Sequence, residues 1–238
     1  MSEQIKLSER LLNVASFLPQ GSNFADIGSD HAYLPCYVCQ NDQTARAIAG
    51  EVNEGPFSSA QDTVEKYQLN HLIDVRLGNG LSVLKHDEVE QVVIAGMGGS
   101  LIRSILEEGK DKLSKVELII AQPNVDEKNV RHWLTLHDYE IQDEVILEEN
   151  GHTYEIIVGK KGTDKINHLT EKDLLFGPIL GKEKNELFCE KWTSEKEKLI
   201  RVINQMKNAK IQDELKISHF EKQLAWIEEV LGDGKNHD

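Results

Sequence analysis

Between about residue 20 and residue 160 the chain alternates short apolar runs with helix-length segments. The runs are NFADIGS, RAIAGEV, IDVRLGN, VVIAGM and LIIAQP. They are rich in β-branched residues and nearly continuous in apolar character. A strand covered on both faces reads that way, so the pattern predicts five parallel strands joined by helices. Two further runs, Tyr139–Leu147 and Thr153–Val158, are separated by Glu149-Asn150-Gly151-His152, and Asn-Gly is a hairpin signal. The expected α/β sheet therefore has seven strands, five parallel ones followed by an antiparallel pair.

Helical spacing dominates outside this region. Leu7, Leu11, Leu12, Val14, Ala15 and Leu18 predict a helix covering the domain. Towards the C-terminus, Leu199, Ile203 and Met206 are spaced four and three, and Phe220, Leu224, Ile227 and Leu231 four, three and four. That is the apolar seam of an antiparallel helical hairpin with charged outer faces. Gly177-Pro178 and Gly181 interrupt the segment before it.

The formal net charge of −14 looks wrong for a polyanion binder, but it is unevenly spread. Residues 1–160 hold 13 Lys and Arg against 26 Asp and Glu, whereas residues 161–238 hold 14 against 15. The shift falls near Gly159-Lys160-Lys161-Gly162, dividing the chain into a domain 1–160 and a helical domain 161–238. With 39% apolar and 29% charged residues, no apolar run long enough to span a membrane and no signal-peptide pattern, the chain reads as cytoplasmic. Three cysteines make no disulfide framework. Cys36 and Cys39, in LPCYVC, read as small buried hydrophobes of a helix; no further ligands stand at metal-binding spacing. The oligomeric state stays open, a monomer among the options.

In an open parallel sheet, ligands sit outside the carboxyl ends of the strands. Those ends read Asp26-Ile27-Gly28-Ser29-Asp30-His31, Glu51-Val52-Asn53, Gly78-Asn79-Gly80, Ala95-Gly96-Met97-Gly98-Gly99 and Gln122-Pro123-Asn124. Each is a loop of small or polar residues after an apolar run. Glu51 stands where an acid can accept both hydrogen bonds of a ribose diol. Asn79 can pair with an adenine edge, its amide oxygen accepting from the exocyclic amine and its NH₂ donating to a ring nitrogen. The first turn has one glycine where a dinucleotide fold shows three, and Asp30 where the second would be. A carboxylate there repels a pyrophosphate but suits a cation. S-adenosylmethionine has no phosphate and carries an ammonium that Asp26 or Asp30 can receive. The candidate cofactor set is Asp26, Gly28, Ser29, Asp30, His31, Glu51, Val52, Asn53, Gly78, Asn79, Gly80, Ala95, Gly96 and Met97.

The set DIGSDHAYLP, GEVNEGP, LGNGL, IAGMGG and AQPN, in this order and spacing, resembles TrmK, the bacterial tRNA (adenine(22)-N1)-methyltransferase family. The resemblance covers nearly the whole chain. It implies a class I methyltransferase fold of Rossmann-like type with a C-terminal α-helical coiled-coil domain, and one adenine of tRNA as substrate. Asn79 is a departure, since many related methyltransferases carry Asp there.

Methyl transfer to N1 is an in-line displacement on a ring nitrogen that already has a lone pair. The enzyme must align the reacting atoms and tolerate a cationic product ring. N1 lies on the Watson–Crick edge, so the base must leave its stack. Asp30, Gln122 and Asn124 are the candidate catalytic residues, with His31 and Tyr33 as alternative contacts to the base. Gln122-Pro123-Asn124 resembles the Asn-Pro-Pro-aromatic loop of amino-group methyltransferases but lacks the aromatic; alternatively Asn124 or Asp126 caps the next helix. For tRNA phosphates the candidates are Lys182, Lys184, Lys191, Lys196, Lys198, Arg201, Lys207 and Lys210, unless these pair with neighbours such as Glu190, Glu195 and Glu197. Two other readings stay open: a methyltransferase for a small molecule or a protein, and a non-catalytic helical interaction protein retaining the nucleotide fold.

Overall fold

The computed structural model describes residues 4–162 and 169–232; Met1–Glu3 of the N-terminal stretch and residues 163–168 after the compositional boundary lie outside it. The chain divides into two compact units, Met1–Leu169 and Thr170–Asp238.

The first unit is built on one sheet of order β3-β2-β1-β4-β5-β7-β6. Strands β1 (Asn23–Ile27), β2 (Arg46–Glu51), β3 (Ile73–Leu77), β4 (Gln91–Met97) and β5 (Leu118–Pro123) are parallel. Strand β7 (His152–Lys161) runs antiparallel to β5 and to β6 (Tyr139–Glu149). Strand side chains alternate between two cores. Ala25, Ile27, Val92, Ile94 and Ile119 pack on one face, and Phe24, Ala47, Ala49, Val93 and Ile120 on the other. Helices α4 (Gly99–Glu108) and α5 (Glu127–Leu136) close the first face through Ile102, Ile105, Val130 and Trp133. Helices α1 (Glu9–Ser16), α2 (Tyr33–Asn41) and α3 (Glu54–Lys66) close the second through Val14, Cys36, Cys39, Ala60 and Val64. Burial on both sides is the physical reason the strands are continuously apolar.

Local chemistry explains the element ends. Ser8 caps α1 by accepting from the Leu11 N–H, so Leu7 and Leu18 lie beyond the helix yet pack on the core. Asn150 and Gly151 both take positive φ, 54° and 76°, as the expected hairpin turn requires. Cys36 and Cys39 are buried, and burial pushes both thiols up to about 12, so they behave as inert core groups. The fully buried Arg131 of α5 donates from Nε to Glu144 Oε1 at 2.6 Å and from Nη2 to Glu155 Oε2 at 2.5 Å, binding α5 to both hairpin strands.

The second unit contains α6 (Glu171–Phe176), α7 (Leu180–Glu183), α8 (Glu186–Lys207) and α9 (Glu214–Gly232). Thr170 and Asp173 form a capping box at α6, and Asn185 caps α8 by accepting from the Phe188 N–H at 2.9 Å. Helices α8 and α9 pack antiparallel: Lys196 pairs with Glu228 at 3.2 Å and Lys207 with Glu221 at 2.5 Å. The seam holds Ile203, Ile217 and Ile227 buried, with Leu199, Met206, Phe220, Leu224 and Leu231 half-buried. Phe176, Phe188 and Trp192 form an aromatic cluster below it, with Phe176 edge-on to Trp192 at 4.6 Å. Among the described residues no helix is long and apolar enough to cross a membrane.

The compositional boundary at 160/161 falls inside β7, which continues through Lys161; the first compact unit extends to Leu169.

Candidate active site

Strand β1 lies between β2 and β4, so the chain order reverses at this point and a crevice opens above the carboxyl ends of the two neighbours. The first loop is tied down at its start, with the Gly28 and Ser29 N–H groups donating to the Gly50 carbonyl at 2.9 and 3.3 Å. Gly28 takes φ 72°, and a Cβ there would collide with Met97 Cε, so the glycine admits both the turn and the approach of β4. Asp30, His31 and Ala32 then follow in the left-handed region, at φ 42°, 70° and 57°. Asp and His visit that region more readily than most residues. Three in a row, Ala32 included, is a strained loop of the kind found where a site is held in shape.

What holds it is Glu51, whose Oε1 accepts from the Asp30 N–H at 2.5 Å. Glu51 is buried rather than a surface cap of the next helix. Its carbonyl also accepts from the Gly78 N–H at 2.7 Å, which joins the second and third loops. Asp26 is buried directly below, accepting from Ser29 Oγ at 2.6 Å. No cation among the described residues neutralises it. Burial, and secondarily the charge of Glu51, push the Asp26 carboxyl up to about 7 against the opposing Ser29 hydrogen bond. Burial also raises the Glu51 carboxyl. The crevice floor thus offers two carboxylates that gain from an incoming cation or hydroxyl.

The remaining loops complete the edge. Val52 and Asn53 are exposed at the start of α3, and Asn79 is exposed between Gly78 and Gly80 with no side-chain partner among the described residues. Ala95, Gly96 and Met97 lie at a register break between β4 and β5 that bends the strand end. Asp30 is exposed, with its carboxylate 3.4 Å from His31 Nε2, and Tyr33 is exposed close by.

Gln122 does not face the crevice as a catalytic candidate should. It is fully buried, and its amide is used up inside the protein. Its oxygen accepts from the Gly96 N–H at 3.0 Å and from Arg10 Nη1; its NH₂ donates to the Pro123 carbonyl at 2.9 Å and to Asn124 Oδ1 at 3.2 Å. Both amide groups of Gln122 are therefore engaged within the protein. Asn124 is exposed and held by its Nδ2 donating to the Gly96 carbonyl at 2.8 Å. Asp126 occupies the N-cap position of α5, but its side chain makes no cap bond and accepts instead from Ser100 Oγ at 3.1 Å. Arg10 was invisible to sequence reasoning: it sits in an amphipathic N-terminal helix, far along the chain from the loop it holds. It is further braced by the Glu149 carboxylate and by the Tyr154 ring, 5.3 Å from its guanidinium.

The chain matches the family model described as tRNA (adenine(22)-N(1))-methyltransferase over residues 24–229. It is 44% identical to the tRNA (adenine(22)-N(1))-methyltransferase of Bacillus subtilis (strain 168), over 97% of this chain and 99% of that one. Among solved structures it is similar to Streptococcus pneumoniae Sp1610, a putative tRNA (m1A22) methyltransferase in complex with S-adenosyl-L-methionine, at 44% identity and TM-score 0.84 over 95% and 100% of the two chains. It is also similar to Mycoplasma capricolum TrmK with S-adenosyl-homocysteine, at 32% identity and TM-score 0.83 over 95% and 98%. The sheet is that of a class I methyltransferase, and the chain belongs to the tRNA (adenine(22)-N(1))-methyltransferase family.

Proposed function

We propose that the protein transfers the methyl group of S-adenosylmethionine to N1 of the adenine at position 22 of tRNA. The observation that carries this reading is the buried, cation-free carboxylate of Asp26 beneath a one-glycine turn, with Glu51 beside it. A pyrophosphate is repelled there, while an ammonium is attracted. The residues fit the cofactor: Asp26 receives the ammonium, the second oxygen of Glu51 the ribose hydroxyls, and Asn79 the adenine edge. When bound, the cofactor supplies an electrophilic methyl group.

The chain's own residues orient the target. Asn124 Oδ1 accepts one bond from Gln122 and retains a lone pair for the exocyclic amine of adenine. That contact turns N1 towards the crevice. No base is needed. The exposed Asp30 carboxylate at the mouth favours the positive charge that builds on the ring. The second unit holds the RNA. Of the basic residues proposed for this, Lys196, Lys198 and Lys207 pair with Glu228, Glu195 and Glu221, while Lys182, Arg201 and Lys210 make no ion pair among the described residues.

The test is to methylate bulk bacterial tRNA and digest it to nucleosides. Mass spectrometry should find 1-methyladenosine, and a transcript with guanine at position 22 should not be modified. N6-methyladenosine instead, or no label in RNA, would sink the assignment.

A further inference from the structure

The second unit contains a cavity of about 200 Å³ that the cofactor crevice does not involve. It opens where α6, the Gly177-Pro178 turn and α7 meet the end of α9. That volume is below the roughly 300–1,000 Å³ of pockets for drug-sized ligands, and suits a single planar ring. Its apolar side-chain lining is Trp226, Phe176, Pro178 and Val230, and its basic lining is Lys172, Lys182 and Lys184. Phe176 is buried in the aromatic cluster and forms a fixed floor, whereas Trp226 is half-exposed and forms a wall. Lys222 places its ammonium 4.9 Å from the Trp226 ring centroid, adding a cation beside that wall.

The two acids lining the cavity are already engaged. Asp173 accepts from the Thr170 N–H and hydroxyl at 2.9 and 2.6 Å, and Glu229 accepts from Lys172 at 2.5 Å. Lys182 makes no ion pair among the described residues. The cavity therefore presents a planar apolar wall together with uncompensated positive charge. An inorganic anion has no use for the wall, and an apolar ligand has no use for the lysines. A nucleotide uses both, since any base can stack on an aromatic ring while its phosphate meets a cation.

We propose that this cavity receives an unpaired nucleotide of the bound tRNA, its base against Trp226 and its phosphate on Lys182. The proposal rests on the reading that the second unit holds the RNA. It gives that unit a fixed docking point for the substrate. Stacking of this kind is indifferent to base identity, so the cavity selects an unstacked position rather than a sequence.

The test uses the full chain and a tRNA substrate. Binding is measured over a range of salt for Lys182→Gln, Trp226→Leu and Trp226→Phe, with Lys115→Gln, an exposed lysine before β5, as a control. Lys182→Gln and Trp226→Leu should each weaken tRNA binding roughly fivefold or more, and Trp226→Phe should retain most of it. Lys182→Gln should also lower the salt slope by about one, Lys115→Gln leaving it unchanged. S-adenosylhomocysteine affinity should stay at the wild-type value throughout. Ultraviolet cross-linking should leave a nucleotide adduct on the peptide containing Trp226. If Trp226→Leu melts early, Lys182→Gln and the cross-link decide. Wild-type affinity in Lys182→Gln with adducts confined to other α8 or α9 peptides would overturn the cavity and leave the second unit as the RNA holder. No adduct anywhere beyond Thr170 would overturn both.

Discussion

Arg10 donates from its guanidinium to the amide oxygen of Gln122, across 112 positions of sequence. A guanidinium can only donate, so the Gln122 oxygen must face it and the NH₂ must face Asn124. The Asn124 oxygen then faces Gln122, and its NH₂ goes to the Gly96 carbonyl. One cation on α1 thus sets the polarity of the loop proposed to present adenine. Arg10→Met leaves the Gly96 N–H as the remaining donor to that oxygen. It should lower kcat about tenfold, equivalent to about 1.4 kcal/mol, with S-adenosylhomocysteine affinity within twofold of wild type. Arg10→Lys should recover part of the rate. Equal losses in rate and cofactor affinity would show that Arg10 supports the whole crevice rather than this loop.

Glu51 holds the Asp30 N–H and is proposed to receive the ribose, and Gln separates the two tasks. Glu51→Gln keeps a carbonyl for the Asp30 N–H but turns the other oxygen into a donor. It should melt near wild type and bind S-adenosylhomocysteine roughly fivefold or more weakly. Glu51→Ala loses both and should cost about 1–3 kcal/mol of cofactor binding together with a lower melting temperature. Calorimetry and thermal melts check both; identical behaviour of the two variants would remove the ribose assignment.

On the proposed ammonium contact, Asp26 should make cofactor binding depend on pH. Its carboxyl is raised from 3.8 to about 7, mainly by burial, so the free protein holds a proton there below neutrality. An ammonium needs the ionised form. Affinity should rise about tenfold between pH 6 and pH 8, and Asp26→Asn should bind weakly with a flat profile. The same shift fixes a stability trend. A group with a raised folded-state pKa stabilises fully below its unfolded value, and that contribution is lost as pH rises through about 7. Cofactor-free Asp26→Asn should therefore gain on wild type in denaturant melts as pH increases from 4 to 8.

Arg131 is the sharpest stability test. Its cation sits between two buried carboxylates, and Arg131→Met strips both of it. The expected loss is about 3–5 kcal/mol in chemical denaturation at neutral pH. A loss under 1 kcal/mol would mean that water reaches the site.

A chain ending after Leu169, where the first compact unit stops, should keep S-adenosylhomocysteine affinity within twofold and lose most tRNA binding and methylation. Full methylation by the shortened chain would remove the second unit as the RNA-holding element.

The sheet was legible because its causes are local. Runs such as VVIAGM and LIIAQP are continuous because both faces are covered, and Asn150-Gly151 takes the positive φ values of its turn from its own two residues. The α8–α9 seam repeats within single helices for the same reason. The candidate loops were legible as small and polar strand ends, and the fold gathers them at one edge of the sheet. The alternative for the α8 lysines was pairing with neighbouring glutamates of the same helix; Lys198 does pair with Glu195, whereas Lys196 and Lys207 cross to α9. Periodicity says which face a residue lies on and nothing about which helix it meets.

The amino-acid sequence by itself determined the order of elements, the acidic character of the first turn, and the apolar stripe that pairs two helices. Those follow from side-chain chemistry within a few residues. Only the tertiary structure decided that Gln122 is buried, that Arg10 orients it, that Arg131 is shared by two strands of the hairpin, and that Glu51 holds Asp30, His31 and Ala32 in a left-handed run. Each of these joins groups distant in sequence. Such a bond forms only after the chain has spent its conformational entropy on the fold that brings the partners together.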